Sequence, residues 1–582
     1  MQLPVVDSIR FQRLCRELKP LALIHGPETV ILGLLRPWMA KHAPQLKAPS
    51  SPKLESDAGL RHFLDWLSNM DVLTGAYWIS SAYSLLVTKE QRKKQAMYFT
   101  SPHLAKRLLD SAGDYLFKGP ILDPACGGAA FLAPAAVRLA DALERRGESS
   151  TEILSYIEKS VHGVDMDPFL CLLSKTFLRT VLARHIAAAG YDPDFRINVG
   201  DGLRYAGLEL GSFGLVLCNP PYRKMTRAET APYIEGFGQL MRGQPNLYML
   251  FIARAMGLLR EKGVAVFLTP MSFLSGKSFS ALRHQMTLTG RVRRLDLIHD
   301  KTGVFVGAEQ DTSITLWKKG RAKLVGTDIY VLGSDGAWAW TGRPTLLPSD
   351  RPWPLPREAD DVMLLRLFEQ QHHTLASYGY CSKTGFVVMH RHDFPMFTRR
   401  KDAKRPGHLM PLVWQSDISA NKPLSLEGKR KAVHRYIDIG KRDAAGIIRR
   451  PAVVVQRVTS AEQPRRLVCA TVPKSVYQKF GGVVGENHVC FIEQLGNTAQ
   501  VDTELLCAIL KTRTVDRLFR CISGATNVSS YELATLPLPD PALVKKALSR
   551  GMNIEESVRA GLGISPMPVR LPDSIQLETC DA

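Results

Sequence analysis

FGLVLCNPPY, residues 213–222, is an apolar run that stops abruptly at an amide, two prolines and an aromatic ring. The run has the length and composition of a buried strand. Proline cannot donate to a sheet ladder, so Pro220 and Pro221 must end that strand. Asn-Pro also favours turns, so residues 219–222 can simply be the turn that ends the strand. The rest of the chain has to separate this interpretation from a functional one.

Similar short apolar runs recur between residues 96 and 320, and amphipathic stretches such as 129–146 and 247–263 separate several of them. This alternation predicts a mostly parallel sheet covered by helices on both faces. The runs are PILDPA (120–125), VHGVD (161–165), RINVGD (196–201), FGLVLCNP (213–220), GVAVFLTP (263–270) and SITLWKK (313–319).

The composition changes twice along the chain. Residues 1–90 have helical apolar spacing, and the polar, basic stretch KEQRKKQ (89–95) is typical of a joint. After about residue 320, proline becomes frequent, β-like runs are short and basic clusters recur. We therefore predict a helical N-terminal region (1–90), an α/β domain (91–320) and a mixed α+β C-terminal domain (321–582).

The charge balance points to a polyanionic partner. The chain has 582 residues and a formal net charge of +21, a surplus that favours nucleic acid, although a generally basic protein shares it. We find no secretory signal, no apolar stretch of about 18 residues and no long basic amphipathic helix. Ten cysteines without a CxxC pair indicate neither a disulfide framework nor a metal site. We expect an intracellular protein without a membrane partner.

Four predicted strands end in short polar side chains. These are Asp123, Asp165, Asp201 and Asn219. In doubly wound sheets, ligands bind outside the carboxyl ends of the strands, where the strand order reverses. We therefore expect these four side chains to face one crevice.

The loop after the first strand reads DPACGGAAFL, residues 123–132. Gly127 and Gly128 allow a sharp turn and close approach of the backbone to a ligand. The next helix should begin near Ala129, and its free N–H groups can hold a phosphate or a carboxylate. Neither a G-x-G-x-x-G fingerprint nor a P-loop is present. Taken alone, the loop is equally compatible with a tight turn.

The second and third strand ends add features of a nucleoside site. Asp165 can accept both hydroxyls of a ribose, with Met166 against an adenine ring, or it can cap a helix. Asp201 can accept from an exocyclic amine or shape a turn. A nucleoside crevice with acidic strand ends and no diphosphate loop suits S-adenosylmethionine, which carries a sulfonium cation.

DPACGG, VDMDP, GDG and NPPY, preceded by YFTSPHLAKRLL (98–109), resemble in this order the motifs of gamma-class DNA adenine-N6 methyltransferases of restriction–modification systems. The resemblance covers about residues 90–320 and extends weakly to SGATNVSSYELATLPLP (523–539). It implies the class I S-adenosylmethionine-dependent fold, with a doubly wound, mostly parallel seven-stranded sheet, and a C-terminal target-recognition domain. The loop CGGA departs from the usual CGSG, a difference that Ala129 should accommodate.

The resemblance also implies the roles of individual residues. Asn219 and the Pro220 carbonyl would accept from the adenine amine, Tyr222 would stack on the base, and Phe279, with Phe273 as second choice, would cover its other face unless it only packs. No covalent intermediate is needed, so Cys126 and Cys218 are expected to be buried thiols. The cofactor-binding residues would be Tyr98, Thr100, Asp123, Ala125, Gly127, Asp165, Met166, Asp201 and Asn219.

The partner implied is double-stranded DNA with a flipped-out adenine. We expect a monomeric cytoplasmic enzyme, bacterial or phage-encoded, that acts either beside a separate cognate restriction endonuclease or in an orphan role without one. Candidate base readers are Arg399, Arg400, Arg457, Arg465 and Asn527. Three alternatives stay open: an RNA adenine methyltransferase, a protein glutamine methyltransferase and a non-catalytic DNA-binding specificity protein. A nuclease within residues 1–90 is not supported by any carboxylate–lysine cluster.

Overall fold

The computed structural model forms two compact units, Met1–Val362 and Met363–Ala582. The predicted boundaries near 90 and 320 do not coincide with this division, because the N-terminal helices and residues 321–362 belong to the first unit. The residues described are 5–50, 54, 57–95, 100–241, 245–299, 311–320, 325–333, 335–347, 351–370, 373–389, 391, 393–403, 409–420, 423, 424, 426, 434–439, 444–459, 463–523 and 527–564.

One large mixed sheet organises the first unit. Its strands are β1 (Ile121–Asp123), β2 (Val161–Asp165), β3 (Arg196–Val199), β4 (Phe213–Cys218), β5 (Leu259–Pro270), β6 (Gly290–Ile298), β7 (Thr312–Lys319), β8 (Asp328–Leu332) and β9 (Trp338–Gly342). Their order is β3-β2-β1-β4-β5-β7-β6-β8-β9. Strands β3, β2, β1, β4 and β5 are parallel, and β7 runs antiparallel to both of its neighbours. The strand order reverses between β1 and β4, which makes that position the topological switch point.

Each of the six predicted runs contains a strand, but the sheet has nine strands among the described residues rather than the predicted seven. The three strands that lie outside the six predicted runs are β6, β8 and β9. Strand β6 was missed because its sequence, GRVRRLDLI, carries charges on a buried face. Asp296 is fully buried there and accepts from Arg107 Nε (2.7 Å) and Arg294 Nε (2.7 Å). Paired charges of this kind can occupy a core without an apolar pattern.

Helices cover both faces of this sheet. Leu215 and Leu217 of β4 face one core, and Val216 and Cys218 face the other, as the alternation of a strand requires. The helices of the first unit are α1 (Val5–His25), α2 (Pro27–His42), α3 (Ala58–Leu67), α4 (Val72–Leu86), α5 (Lys89–Gln95), α6 (Pro102–Ala112), α7 (Leu132–Glu144), α8 (Ser150–Ser160), α9 (Pro168–Val181), α10 (Ala183–Ala189), α11 (Arg227–Thr230), α12 (Ile234–Phe237), α13 (Leu247–Leu258), α14 (Ser272–Ser275) and α15 (Ser280–Thr289). The stretch 89–95, which the sequence predicts as a joint, is the helix α5.

Helices α1 to α4 build a third core against the sheet-covering helix α9. Phe11 and Trp78 lie in it together with Phe169 and Phe177 of α9. The N-terminal helices are therefore an integral layer of the first unit. No helix among the described residues is by itself long and apolar enough to cross a membrane, although α1 and α2, bent by 119°, pass that test of length and composition as a pair.

The second unit is a mixed α+β structure. Its described strands are β10 (Tyr380–Thr384), β11 (Met396–Phe397), β12 (Met410–Val413), β13 (Tyr436–Ile437), β14 (Ala452–Gln456), β15 (Cys469–Thr471), β16 (Val484–Gly485) and β17 (Val489–Gln494). They form two sheets, in the orders β10-β17-β14-β15 and β11-β13-β12-β16. The helices are α16 (Val362–Glu369), which begins at the last residue of the first unit, α17 (Lys474–Phe480), α18 (Thr503–Leu510), α19 (Arg513–Ile522), α20 (Ser530–Thr535), α21 (Pro541–Ser549) and α22 (Ile554–Gly561).

Candidate functional site

The switch point of the sheet lies between Asp123 and Asn219. Strands β1 and β4 pair in parallel, with Ile121 beside Leu215 and Leu122 beside Val216. Asp123 therefore ends β1 at the same edge at which residue 219 follows β4. In doubly wound sheets, ligands bind in the crevice outside the strand ends at such a point.

Asp123 is a buried carboxyl group with little compensation. Its side chain is 1% exposed, and the Ala125 N–H donates to it over 3.0 Å. Burial raises the pKa of Asp123 to about 8, and the neighbouring Asp165 adds to the rise. A cation placed in the crevice would favour the ionised form of this group.

Asp165 holds the loop that follows β1 and contains Gly127 and Gly128, the glycine loop, in place. Its Oδ2 accepts from the Gly127 N–H and its Oδ1 from the Asp167 N–H, both over 2.9 Å. Burial raises the pKa of Asp165 to about 6. The alternative role of Asp165 as a helix N-cap is wrong, because Asp167 caps α9 by accepting from Phe169 and Leu170. Met166, beside it, is 68% exposed.

The glycine loop has a left-handed backbone at two positions, Gly127 (φ 50°) and Ala129 (φ 58°). A Cβ atom on Gly128 would come within 2.1 Å of Ser80 Oγ on α4, so only glycine fits there. The following helix, α7, begins at Leu132 rather than near Ala129. The residues of the loop that precede α7 form turns.

Asp201 has the turn-shaping role that the sequence left open, and its role toward an exocyclic amine stays a prediction. Its Oδ1 accepts from the Leu203 N–H (3.0 Å) and shapes the turn after β3, while its Oδ2 accepts from the Tyr233 hydroxyl (2.8 Å). A Cβ atom on the adjacent Gly202 would overlap the carbonyl oxygen of Pro124, at 1.9 Å. The ends of β1 and β3 are thus brought into direct contact.

Asn219 is linked to the segment that precedes α6. Its Nδ2 donates to Thr100 Oγ1 over 2.9 Å, and Thr100 is only 2% exposed. Tyr98, the other predicted residue of that segment, lies outside the described residues. Pro220 is buried. The contact brings together residues that are separated by 119 positions in the sequence.

Three aromatic rings follow one another beside the crevice. Tyr222 donates its hydroxyl to the Leu268 carbonyl of β5 (2.7 Å), and its ring meets Tyr248 edge-on at 6.2 Å. Tyr248 in turn stacks on Phe279 at 5.4 Å, and Phe279 is 7% exposed. Phe273, the second choice for a base-covering ring, is fully buried against Trp353. In this structure both phenylalanines pack in the hydrophobic core. That either of them covers a flipped-out base stays a prediction.

A cavity of about 320 Å³ adjoins the glycine loop. The residues that line it include Thr100, Gly128, Ala129 and Tyr77 of α4. The sequence pattern does not predict that Tyr77 or Tyr233 lies near the site. Neither tyrosine has a distinctive local sequence, since each reaches the site through tertiary packing.

The candidate base readers lie in the second unit. Arg465 and Asn527 are exposed. Arg399 pairs with Asp402 (3.1 Å), Arg400 lies over the Phe480 ring, and Arg457 donates to the Asn487 carbonyl (2.8 Å). These contacts leave the assignment of base readers a prediction.

Residues 160–305 match the family model described as Eco57I restriction-modification methylase. The matched segment contains the ends of β2, β3 and β4. The Type II methyltransferase M.BsuBI of Bacillus subtilis is 23% identical over 338 residues, 56% of this chain and 65% of that protein. The Type II methyltransferase M.TthHB8I of Thermus thermophilus is 30% identical over 118 residues, 19% of this chain and 27% of that protein. The aligned part is under two thirds of the length of each of these relatives.

Among solved structures, the Type IIL restriction-modification enzyme MmeI in complex with DNA is similar with a TM-score of 0.58 and 14% identity, over 94% of this chain and 88% of that chain. This likeness concerns the fold.

Proposed function

We propose that this chain transfers a methyl group from S-adenosylmethionine to the exocyclic N6 of an adenine flipped out of duplex DNA, as a site-specific modification enzyme. The observation that carries the proposal is the position of residues 219–222 at the switch point, across from Asp123 and Asp165. An amide, a proline carbonyl and an aromatic ring are there combined with an acidic crevice. That combination fits an amine acceptor site next to a cationic nucleoside.

The residues present fit the cofactor. Asp123, whose pKa burial raises to about 8, is a buried carboxyl that a sulfonium or ammonium group would stabilise as the anion. Asp165 would hold the ribose, and Asp201 the adenine amine, next to Gly127 and Ala125 of the loop. Met166, being exposed, is available to cover the adenine. The cofactor would supply an activated methyl group.

The chain's own residues would prepare the amine. The Asn219 side-chain oxygen and the Pro220 carbonyl would accept from the N6 hydrogens. These two acceptors would favour a tetrahedral nitrogen and stabilise the positive charge that develops on it. The prolines fix φ and so preorganise the carbonyl. Tyr222, anchored through its hydroxyl on Leu268, would offer its ring to the base. The proton would leave after the transfer, and the buried thiols of Cys126 and Cys218 take no part.

The basic charge of the chain supports a nucleic acid as the substrate. With a net charge of +21, binding should weaken steeply as salt displaces the contacts to phosphate. The second unit is our candidate for reading the DNA sequence, as a target-recognition domain. A cognate endonuclease would act as a separate protein, and the enzyme would work as a monomer.

The decisive experiment incubates the purified chain with a tritiated methyl donor and duplex DNA of mixed sequence. Mass spectrometry of the digested DNA should then show N6-methyladenine. Asn219→Ala should abolish the transfer, while Asn198→Ala, an exposed asparagine on β3, should leave it intact. Label that appears only on RNA or on a protein glutamine would replace the proposal with one of those activities. An active Asn219→Ala variant would reject the site.

A further inference from the structure

We propose that helix α4 forms one wall of the pocket for the amino-acid end of the cofactor and that Tyr77 is a cofactor-binding residue. This inference rests on the proposed function and deepens it. Helix α4 lies upstream of every motif by which the site was predicted from the sequence. The inference therefore gives the N-terminal helices a part in the chemistry.

The position of the cavity relative to the predicted anchors supports this occupant. Asp165 holds the Gly127 N–H, and the next two residues of the loop, Gly128 and Ala129, line the cavity. Thr100 also lines it and at the same time accepts from Asn219. The cavity thus begins beside both the ribose anchor and the site of transfer. In S-adenosylmethionine the sulfur joins the ribose to the amino-acid chain, so that chain must leave from this region.

The size and lining of the cavity suit a small zwitterion. Its volume of about 320 Å³ lies at the lower end of the range for ligand pockets, about 300–1,000 Å³. Ala76, Ala105 and Ala133 make part of its wall apolar and narrow. Asp71, Lys106 and Arg138 add charges of both signs to the lining.

Helix α4 is held firmly against the glycine loop. Ser80 leaves no room for a Cβ atom on Gly128, so helix and loop are in direct contact. Tyr77 lies one turn before Ser80, lines the cavity and is 6% exposed. Burial raises the pKa of its hydroxyl to about 12, so the group remains a neutral donor at physiological pH. A neutral donor in a small cavity is suited to a carboxylate.

The test compares two ligands by isothermal titration calorimetry. S-adenosylhomocysteine carries the amino-acid end, and 5′-methylthioadenosine shares its adenosine and thioether but lacks that end. The ratio of their affinities measures what the amino-acid end contributes. In Tyr77→Phe this ratio should fall by about fivefold or more, as expected for the loss of one hydrogen bond to a charged group, while the affinity for methylthioadenosine should stay within about twofold.

A second variant and a control separate the inference from a folding defect. Ala76→Met places extra atoms in the cavity and should lower the ratio further. Ser84→Ala, on the same helix, should leave it unchanged, because Ser84 does not line the cavity and its hydroxyl donates to the Ser81 carbonyl. An unchanged ratio in Tyr77→Phe, at an unchanged melting temperature, would overturn the inference and leave the proposed function standing. Wild-type protein that binds neither ligand would overturn both.

Discussion

Thr100 Oγ1 accepts a hydrogen bond from Asn219 Nδ2 over 2.9 Å, and this bond joins the segment before α6 to the end of β4. An amide can present either its oxygen or its nitrogen to a substrate, and only the oxygen can accept from an amine. Because Nδ2 of Asn219 bonds to Thr100, the amide oxygen of Asn219 points away from Thr100. Thr100 is therefore placed to orient Asn219 as well as to line the cavity beside it.

Removing this hydroxyl should slow the proposed methyl transfer. Thr100→Val keeps the shape of the side chain and loses the bond, so we expect kcat to fall by about tenfold, the value of one hydrogen bond. Thr100→Ser keeps the hydroxyl and should retain most of the rate. Single-turnover methylation of DNA would measure both. A rate for Thr100→Val equal to that of the wild type would show that Asn219 is oriented by other contacts.

The left-handed backbone at Ala129 stores strain that glycine would relieve. An alanine at φ 58° costs about 1–2 kcal/mol relative to its ordinary conformations. Ala129→Gly should therefore raise the free energy of unfolding by about 1 kcal/mol, once the greater freedom of glycine in the unfolded chain is allowed for. Urea denaturation would measure this change.

Ala140→Gly provides the matched control for that measurement, because Ala140 lies in the regular helix α7. There the same substitution should lower the free energy of unfolding by about 1 kcal/mol. If both variants lose stability equally, the strain at Ala129 is compensated by packing.

Affinity for a cationic cofactor should rise with pH. The pKa of Asp165 is raised to about 6 and that of Asp123 to about 8, so both carboxyls ionise as the pH rises from about 5 to 9. The ionised forms attract a sulfonium or ammonium group. Calorimetry with S-adenosylmethionine, whose sulfonium charge does not titrate, should show tighter binding at pH 8.5 than at pH 5.5. Asp123→Asn should flatten the upper part of this profile.

The same shifts have the opposite effect on the free protein. A carboxyl whose pKa is higher in the folded than in the unfolded state holds its proton more tightly when folded. The contribution of these two carboxyls to stability should therefore fall as the pH rises from about 4, where the unfolded carboxyls begin to ionise, to about 8. Asp123→Asn removes the share of Asp123, so its stability relative to the wild type should rise across this range. Chemical denaturation of both ligand-free proteins would measure the difference, and a difference that does not change with pH would contradict the assigned burial of Asp123.

The sequence was most informative about strand ends and least informative about contacts between distant segments. Asp123, Asp165 and Asn219 could be predicted because each follows an apolar run, and parallel strands bring their carboxyl ends to one edge. Asp167 could not be separated from Asp165 in GVDMDP, since both positions favour a cap. Strand β6 was missed because Asp296 is buried as an ion pair with Arg107.

Tertiary packing explains the other omissions. Tyr77 and Tyr233 meet the site from α4 and from the segment after residue 222, and neither has a local pattern that distinguishes it from an ordinary core or loop aromatic. The packing of Phe279 on Tyr248 is likewise a tertiary contact that no local sequence pattern predicts. Sequence similarity suggested its position near the base, but only the three-dimensional arrangement gives its neighbours.

Variants of Phe279 can distinguish a packing role of its ring from a role in catalysis. The ring is 7% exposed and stacks on Tyr248 at 5.4 Å, so Phe279→Ala should lower the free energy of unfolding by about 3–5 kcal/mol, the usual cost of removing a buried phenylalanine. Phe279→Leu preserves most of the volume and should cost less than about 1.5 kcal/mol. Urea denaturation of both variants, paired with methylation rates at a temperature where each is folded, would measure the two roles. If Phe279→Ala is as stable as the wild type but inactive, the ring leaves Tyr248 to cover the base. If Phe279→Leu is stable and fully active, the ring serves the core alone.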